Sequence, residues 1–166
     1  RIRKKKPNTV HQSSIDAMRR VLRDVVAPHL NSQSFVQPVK VVDVGALDVN
    51  GTYRPLFNDS RFDYVGVDIS RGPNVDLVME SPSKIPLKSR DADLVISGQM
   101  LEHAPFFWEV FDEMERILKP GGALVSIAPS QGPEHRHPTD CYRFLPDAFR
   151  SLGERAGLLV ERVVSG

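Results

Sequence analysis

Apolar positions along this chain follow two alternating periods. Val39-Lys-Val-Val-Asp-Val44 is a short β-branched run that stops at Gly45, the pattern of a parallel strand buried on both faces. Similar runs recur at Asp63–Ile69, Val75–Met79, Ala92–Ser97, Ala123–Ala128 and Leu158–Val164, and predict six strands in all. Between them the spacing turns helical. Ile15, Met18, Leu22, Val25 and Val26 make one stripe, with Ser13 or Ser14 as its predicted cap and Pro28 as its predicted end. Thr52 and Pro55 predict a short helix closed by Asn58-Asp-Ser60. Phe107, Val110, Phe111, Met114, Ile117 and Leu118 form the stripe of a longer helix, which Lys119-Pro-Gly-Gly122 stops. Pro146 opens a last helix through Arg155. Strands alternating with helices predict an α/β fold, a doubly wound and mostly parallel sheet in three α/β/α layers.

Length adds that 166 residues suit one domain, with residues 1–12 as a basic tail and linker and 13–166 as the domain. The net charge of +1 hides an asymmetry, because Arg1, Arg3, Lys4, Lys5 and Lys6 leave the remainder mildly acidic. A run this short reads as a solvated tail, and no aromatic-rich basic groove accompanies it, so a nucleic-acid partner is not expected. No apolar run is long enough to span a bilayer, and no secretory signal follows the basic start, so no membrane partner is expected either. The lone Cys141 excludes an internal disulfide and points to a reducing, cytoplasmic setting. The chain does not begin with Met, which marks it as a fragment or a processed form.

The chemistry concentrates at strand ends. In open α/β sheets ligands bind outside the carboxyl ends of the strands. Asp43 lies at that end of the first strand and Asp68 at that end of the second. An ionised carboxylate accepts two hydrogen bonds at once, which suits the paired hydroxyls of a ribose. The pattern therefore indicates a nucleoside-containing cofactor. A nicotinamide dinucleotide fits less well, because Leu47 and Asn50 stand where the G-x-G-x-x-G fingerprint needs glycine.

Four blocks then carry a family resemblance: Val41-Val-Asp-Val-Gly45; Gly66-Val-Asp-Ile69; Asp93-Leu-Val-Ile-Ser97 with Leu101-Glu-His103; and Ile117-Leu-Lys-Pro-Gly-Gly122. With these the chain resembles the class I S-adenosylmethionine-dependent methyltransferases, a Rossmann-like family, and within it the type 11 domain. The resemblance runs from Val39 to the end. A fifth block, His137-Pro-Thr-Asp-Cys-Tyr-Arg-Phe144, is similar to a loop in members that modify sugars or secondary metabolites. One departure stands out. The family's first loop carries alternating glycines, whereas here Leu47 and Val49 follow Gly45, and Gly51 comes later.

The resemblance implies S-adenosylmethionine as cofactor, S-adenosylhomocysteine as product and a small-molecule acceptor. It implies that Asp43 and Gly45 shape the pocket for the methionine part, with Asp48, Asn50 and Gly51 in the altered loop. Asp68 would hold the ribose, Ile69 would pack on adenine, and Glu80 and Ser81 would border its edge. Ser97 and Gln99 would border the sulfonium. Plainer roles compete: a loop-bracing carboxylate for Asp43, a turn-capping acid for Asp68, a solvated acid for Glu80.

A hydroxyl acceptor must lose a proton, and histidine is the side chain that titrates nearest neutrality. His103, after the fourth strand, and His135 and His137, in the loop after the fifth, are the candidate bases, with Asp140 as an orienting partner. The plainer reading of His103 is a histidine that pins its loop. His135, His137, Asp140 and Cys141 come from one short loop that contains Pro138, a poor frame for a tetrahedral site, so no metal is expected. The activity expected is O-methylation of a small molecule. An inactive S-adenosylmethionine-binding module and an NAD(P)-dependent oxidoreductase are the alternatives. The family's sheet closes with an antiparallel seventh strand, absent before Gly166, and an exposed edge on the sixth strand would favour a homodimer or a longer native chain.

Overall fold

Val39–Val44 forms β1, the central strand of the sheet in the computed structural model. The structure describes residues 9–33 and 36–164. Phe62–Asp68 (β2) and Ala92–Gly98 (β4) flank β1, with Leu77–Val78 (β3) and Leu118–Ile127 (β5) outside them. The strand order is β3-β2-β1-β4-β5, and every pairing is parallel. Successive side chains of β1 feed opposite layers. Val42 and Val44 pack with Val67, Val95, Met114, Ile117 and Leu152, under helices α3 (Phe107–Ile117) and α4 (Pro146–Arg155). Val41 packs with Met18, Val26, Leu94, Ile96, Tyr53 and Phe57, under helix α1 (Thr9–Val21) and the 3₁₀ turn Arg54–Phe57. The predicted doubly wound α/β fold is present.

Four details differ from the sequence reading. First, α1 begins at Thr9, taking residues 9–12 from the expected linker; residues 1–8 of the basic tail lie outside the described residues. Ser14 is not its cap. It sits inside the helix, buried, with Oγ 2.5 Å from the hydroxyl of Tyr53. Second, Pro28 does not end the helix. The chain passes through a π-helical turn at Leu22–Val26 into α2, Ala27–Ser32, with Pro28 in the first turn of α2. Proline lacks an N–H, and just ahead of it the ladder slips so that the Ala27 N–H reaches Leu22 O. Third, β5 begins at Leu118, not Ala123. Its pairing shifts register between Ala92 and Leu94, and Pro120, Gly121 and Gly122 occupy that irregularity, with Gly121 at φ +78°.

Fourth, Leu158–Val164 is not a strand. Among the described residues it makes no ladder pairing, and the sheet has five strands. The segment turns back along α4 instead. Leu158 N donates to Gly153 O at 2.8 Å, and a Cβ on Gly153 would meet Val160 Cγ2 at 2.4 Å. Leu159 faces away at 88% exposure. An alternating segment laid on a helix shows the same one-in, one-out pattern as a half-buried strand, which is why the pattern misled.

Candidate active site

Because all five strands are parallel, their carboxyl ends open on one edge. That edge gathers Asp43, Gly45, Asp68, Glu80, Ser97 and Gln99. Gly45 turns the chain at φ +84°, while its N–H and that of Ala46 still bond Val67 O at 2.9 and 3.1 Å. A Cβ at Gly45 would strike Met100 Cγ at 2.4 Å. The first loop is thus pinned between β2 and the turn after β4, with no room for a side chain.

The altered glycines have a structural counterpart. Leu47 leans on Gly72, where a Cβ would lie 2.4 Å from Leu47 Cδ1. Gly72 on the neighbouring loop makes the space that Leu47 fills. Asp48 closes the same loop on itself, its Oδ1 accepting from Gly51 N at 2.8 Å. Asp68 accepts from Leu47 N at 3.1 Å and from Ser70 N at 2.8 Å, one bond on each carboxylate oxygen. It remains half-exposed, so lone pairs on both oxygens stay open. Ile69 beside it is 53% exposed. Glu80 is exposed on the same edge, following the Met79 N–H that bonds Asp68 O at 2.8 Å.

Asp43 is 2% exposed. Its Oδ2 accepts a hydrogen bond from the hydroxyl of Tyr64, and its Oδ1 is buried with no hydrogen-bond partner. Burial pushes its pKa up to about 7, against the opposing pull of Tyr64 and the Arg54 guanidinium, while Asp68 adds to the rise. Arg54 stacks 4.3 Å over the Tyr64 ring and bonds Asn74 Oδ1 at 2.6 Å and Asp76 Oδ2 at 2.5 Å. Asn74 in turn donates to Ala46 O at 2.7 Å. Sequence reasoning missed Tyr64, Asn74 and Arg54. The available signal was strand parity: Tyr64, Gly66 and Asp68 share one face of β2, and Asp43 lies opposite Gly66 in register.

Ser97 and Gln99 serve the backbone. Ser97 is buried and donates through Oγ to Val44 O at 2.8 Å, bracing β4 to β1. Gln99, at φ +57°, donates its N–H to Ile127 O at 2.7 Å. Ser81 Oγ faces Ser83 Oγ at 3.4 Å. Tyr53 packs on Gly98, where a Cβ would lie 1.9 Å from the tyrosine oxygen, so the Ser14–Tyr53 pair brings α1 to the end of β4.

The three histidines come together. The His103 ring lies 5.0 Å from that of His135 and 6.4 Å from that of His137, centroid to centroid. The loop that carries His135 and His137 docks on the turn at Leu101–His103 through Cys141 N and Tyr142 N, which bond Glu102 O at 2.7 and 3.2 Å. Asp140 accepts from His135 N at 2.6 Å and from Arg143. The guanidinium of Arg143 holds that carboxyl well below the usual range. Cys141 is exposed.

Sequence reasoning quoted Glu102 but gave it no role. It is 0% exposed, neither carboxylate oxygen has a hydrogen-bond partner, and burial pushes its pKa up to about 7. His103 Nε2 lies 3.7 Å from Glu102 Oε1. A concavity of about 420 Å³ elsewhere is lined by Ser83, Glu109, Asp112, Glu113 and Arg116, and none of the predicted site residues borders it. No helix among the described residues is long and apolar enough to cross a membrane.

Comparison with known proteins agrees with this geometry. A family profile described as a methyltransferase domain matches residues 42–126, from the middle of β1 to the last residues of β5. An uncharacterized methyltransferase of a Mycobacterium species is 30% identical over 118 residues, covering 65% of this chain and 46% of that protein. A demethylmenaquinone methyltransferase of Listeria welshimeri is 38% identical over 58 residues, 35% of this chain and 25% of that protein. The chain thus spans less than half the length of these curated relatives. Among solved structures, a SAM-dependent methyltransferase from Aquifex aeolicus superposes with a TM-score of 0.60 at 20% identity, over 97% of this chain and 93% of the other, which speaks to the fold alone. With the profile matched over half of its length and the acid-tipped parallel strands in place, the chain belongs to the class I S-adenosylmethionine-dependent methyltransferase family.

Proposed function

We propose that the chain binds S-adenosylmethionine at the carboxyl ends of β1, β2 and β4 and transfers its methyl group to a hydroxyl of a small-molecule acceptor. The observation that carries this reading is the pair of acids at the tips of β1 and β2. Asp68 keeps open lone pairs for the ribose hydroxyls. The buried, unpartnered Oδ1 of Asp43 is the group that a cationic amine of the cofactor's methionine part satisfies. The exposed Ile69 offers an apolar face for adenine, with Glu80 and Ser81 along its edge. Gly45 and Gly51 shape the loop through backbone, Asp48 closes it through its side-chain Oδ1, and Ser97 and Gln99 brace the strand ends beside it.

Bound there, S-adenosylmethionine supplies a methyl group already activated by its sulfonium, so the protein's task is alignment, exclusion of water and removal of one proton. His137 or His135 accepts the proton from the acceptor hydroxyl, Asp140 positions the His135 backbone, and His103 is the third candidate base. The sixth strand expected to carry an exposed edge is absent among the described residues; the outer strands of the described sheet are β3 and β5, and the longer edge, β5, is where pairing of two copies is expected. The single cysteine supports a cytoplasmic setting. A turnover assay with isotopically labelled S-adenosylmethionine over a panel of hydroxylated small molecules tests the reading. Transfer to a hydroxyl oxygen is expected. Cofactor binding without transfer to any member would favour an inactive binding module, which the Leu47 and Val49 loop keeps in view, and binding of NAD(P) alone would favour an oxidoreductase.

A further inference from the structure

Glu102, His103 and His135 each offer a ligand atom, and these atoms lie within 4.8 Å of one another. The set was not visible in sequence, because Glu102 and His103 follow β4 while His135 belongs to the loop after β5. Three observations separate it from a chance cluster. Glu102 is fully buried, and both its oxygens lack a partner, a costly arrangement for a carboxylate with nothing to bind. The Nδ1 of His103 is already engaged with Thr139 O at 2.6 Å, which leaves Nε2 facing Glu102. A metal-ligating histidine is held in the same way, one ring nitrogen on a carbonyl or carboxylate and the other on the ion. The Nδ1 of His135 lies 3.4 Å from Pro133 O, 3.5 Å from Asp140 Oδ2 and 3.3 Å from Arg143 Nη2; donation to the first two leaves Nε2 for an ion, whereas acceptance from Arg143 puts the proton on Nε2.

We infer that Glu102, His103 and His135 form a binding site for a divalent first-row transition-metal ion beside the acceptor. Two imidazoles and one carboxylate select zinc or iron(II) over magnesium or calcium, which prefer oxygen ligands. Three protein ligands leave positions open for water or for an acceptor oxygen. The local charge is compatible: Glu102 and Asp140 are acids, and Arg143 offsets one of them. Ligand bonds of about 2.1 Å require the donors to draw slightly closer than they stand. The His135 side chain, 51% exposed on its loop, has the freedom to do so. Cys141 and His137 stay outside the ligand set, and His137 is then the base left for the acceptor proton. The expectation of no metal rests on the loop after β5 alone; the proposed site joins that loop to the turn after β4.

The test uses untagged chain stripped with chelator, titrated with zinc and, for its visible absorption, cobalt(II). One ion per chain is expected, with binding weakened at least about tenfold in Glu102→Gln, His103→Ala and His135→Ala and unchanged in Cys141→Ser. Circular dichroism checks that each variant is folded, and His135→Ala, on an exposed loop, carries the test if the buried Glu102→Gln does not fold. No stoichiometric binding, or binding indifferent to His135→Ala, would overturn the inference. S-adenosylhomocysteine binding by the stripped chain is read separately: its retention with no metal binding removes the metal site and leaves the methyltransferase reading intact.

Discussion

His103 and Thr139 hold each other twice: His103 Nδ1 lies 2.6 Å from Thr139 O, and Thr139 Oγ1 donates to His103 O at 2.7 Å. Together with the bonds from Cys141 and Tyr142 to Glu102 O, this pair fastens the loop after β5 to the turn after β4. It converts two distant segments into one wall. Thr139→Val removes one of the two bonds at an exposed position. A cost of about 1 kcal/mol is expected in denaturant unfolding. Turnover should fall while S-adenosylhomocysteine affinity holds, because the cofactor side does not depend on this wall. Unchanged stability and unchanged turnover would show that the loop is held by other means.

The proton acceptor is tested by His137→Ala and His135→Ala, singly and together. Loss of the base should lower kcat by about 10²–10⁴-fold with cofactor affinity nearly unchanged. If the double variant keeps near-normal turnover on the true acceptor, the base is His103 or the reaction needs alignment alone.

Asp43 gives a pH signature with a definite sign. Its folded pKa, about 7, stands above the ordinary value of 3.8. Between those values the folded chain holds a proton that the unfolded chain has released. The contribution of Asp43 is therefore fully present below about pH 4 and is lost as pH rises through 7, by an amount of the order of 4 kcal/mol at most. Without ligand, Asp43→Asn should gain stability relative to the wild type across that window, measured by urea unfolding at several pH values. A difference that does not vary with pH would contradict the buried, unpaired carboxyl.

Much of the carboxyl edge of the sheet was legible in the residues. Buried parallel strands leave continuous β-branched runs, and the acids Asp43 and Asp68 close two of them, so their place at that edge follows from local pattern. The histidine cluster was less legible. Glu102 and His135 approach because Glu102 O receives the amides of Cys141 and Tyr142 and because His103 and Thr139 bond each other, contacts without periodicity. Val160 packing on Gly153 imitated a sixth strand, since alternation records burial on one side and not the identity of the neighbour. Pro28 failed as a stop because a π turn absorbed its missing donor.

Among the described residues the sheet ends at β3 on one side and at the longer β5 on the other, and an unpaired parallel edge recruits partners. Light scattering over a concentration series should show a shift toward a dimer. A clean monomer at high concentration would argue that the edge is covered.

The central claim is that a nucleoside cofactor binds with its ribose on Asp68. Calorimetric titration of the chain with S-adenosylhomocysteine measures it most directly. The account predicts stoichiometric binding to the wild type, no comparable heat with nicotinamide dinucleotides, and a loss of about 1.5–3 kcal/mol in Asp68→Ala, the range for hydrogen bonds to a charged group. Asp68→Asn, which keeps an acceptor for the Leu47 or Ser70 amide, separates loss of the ribose contact from loss of the loop. Wild-type affinity in both variants would contradict the assignment.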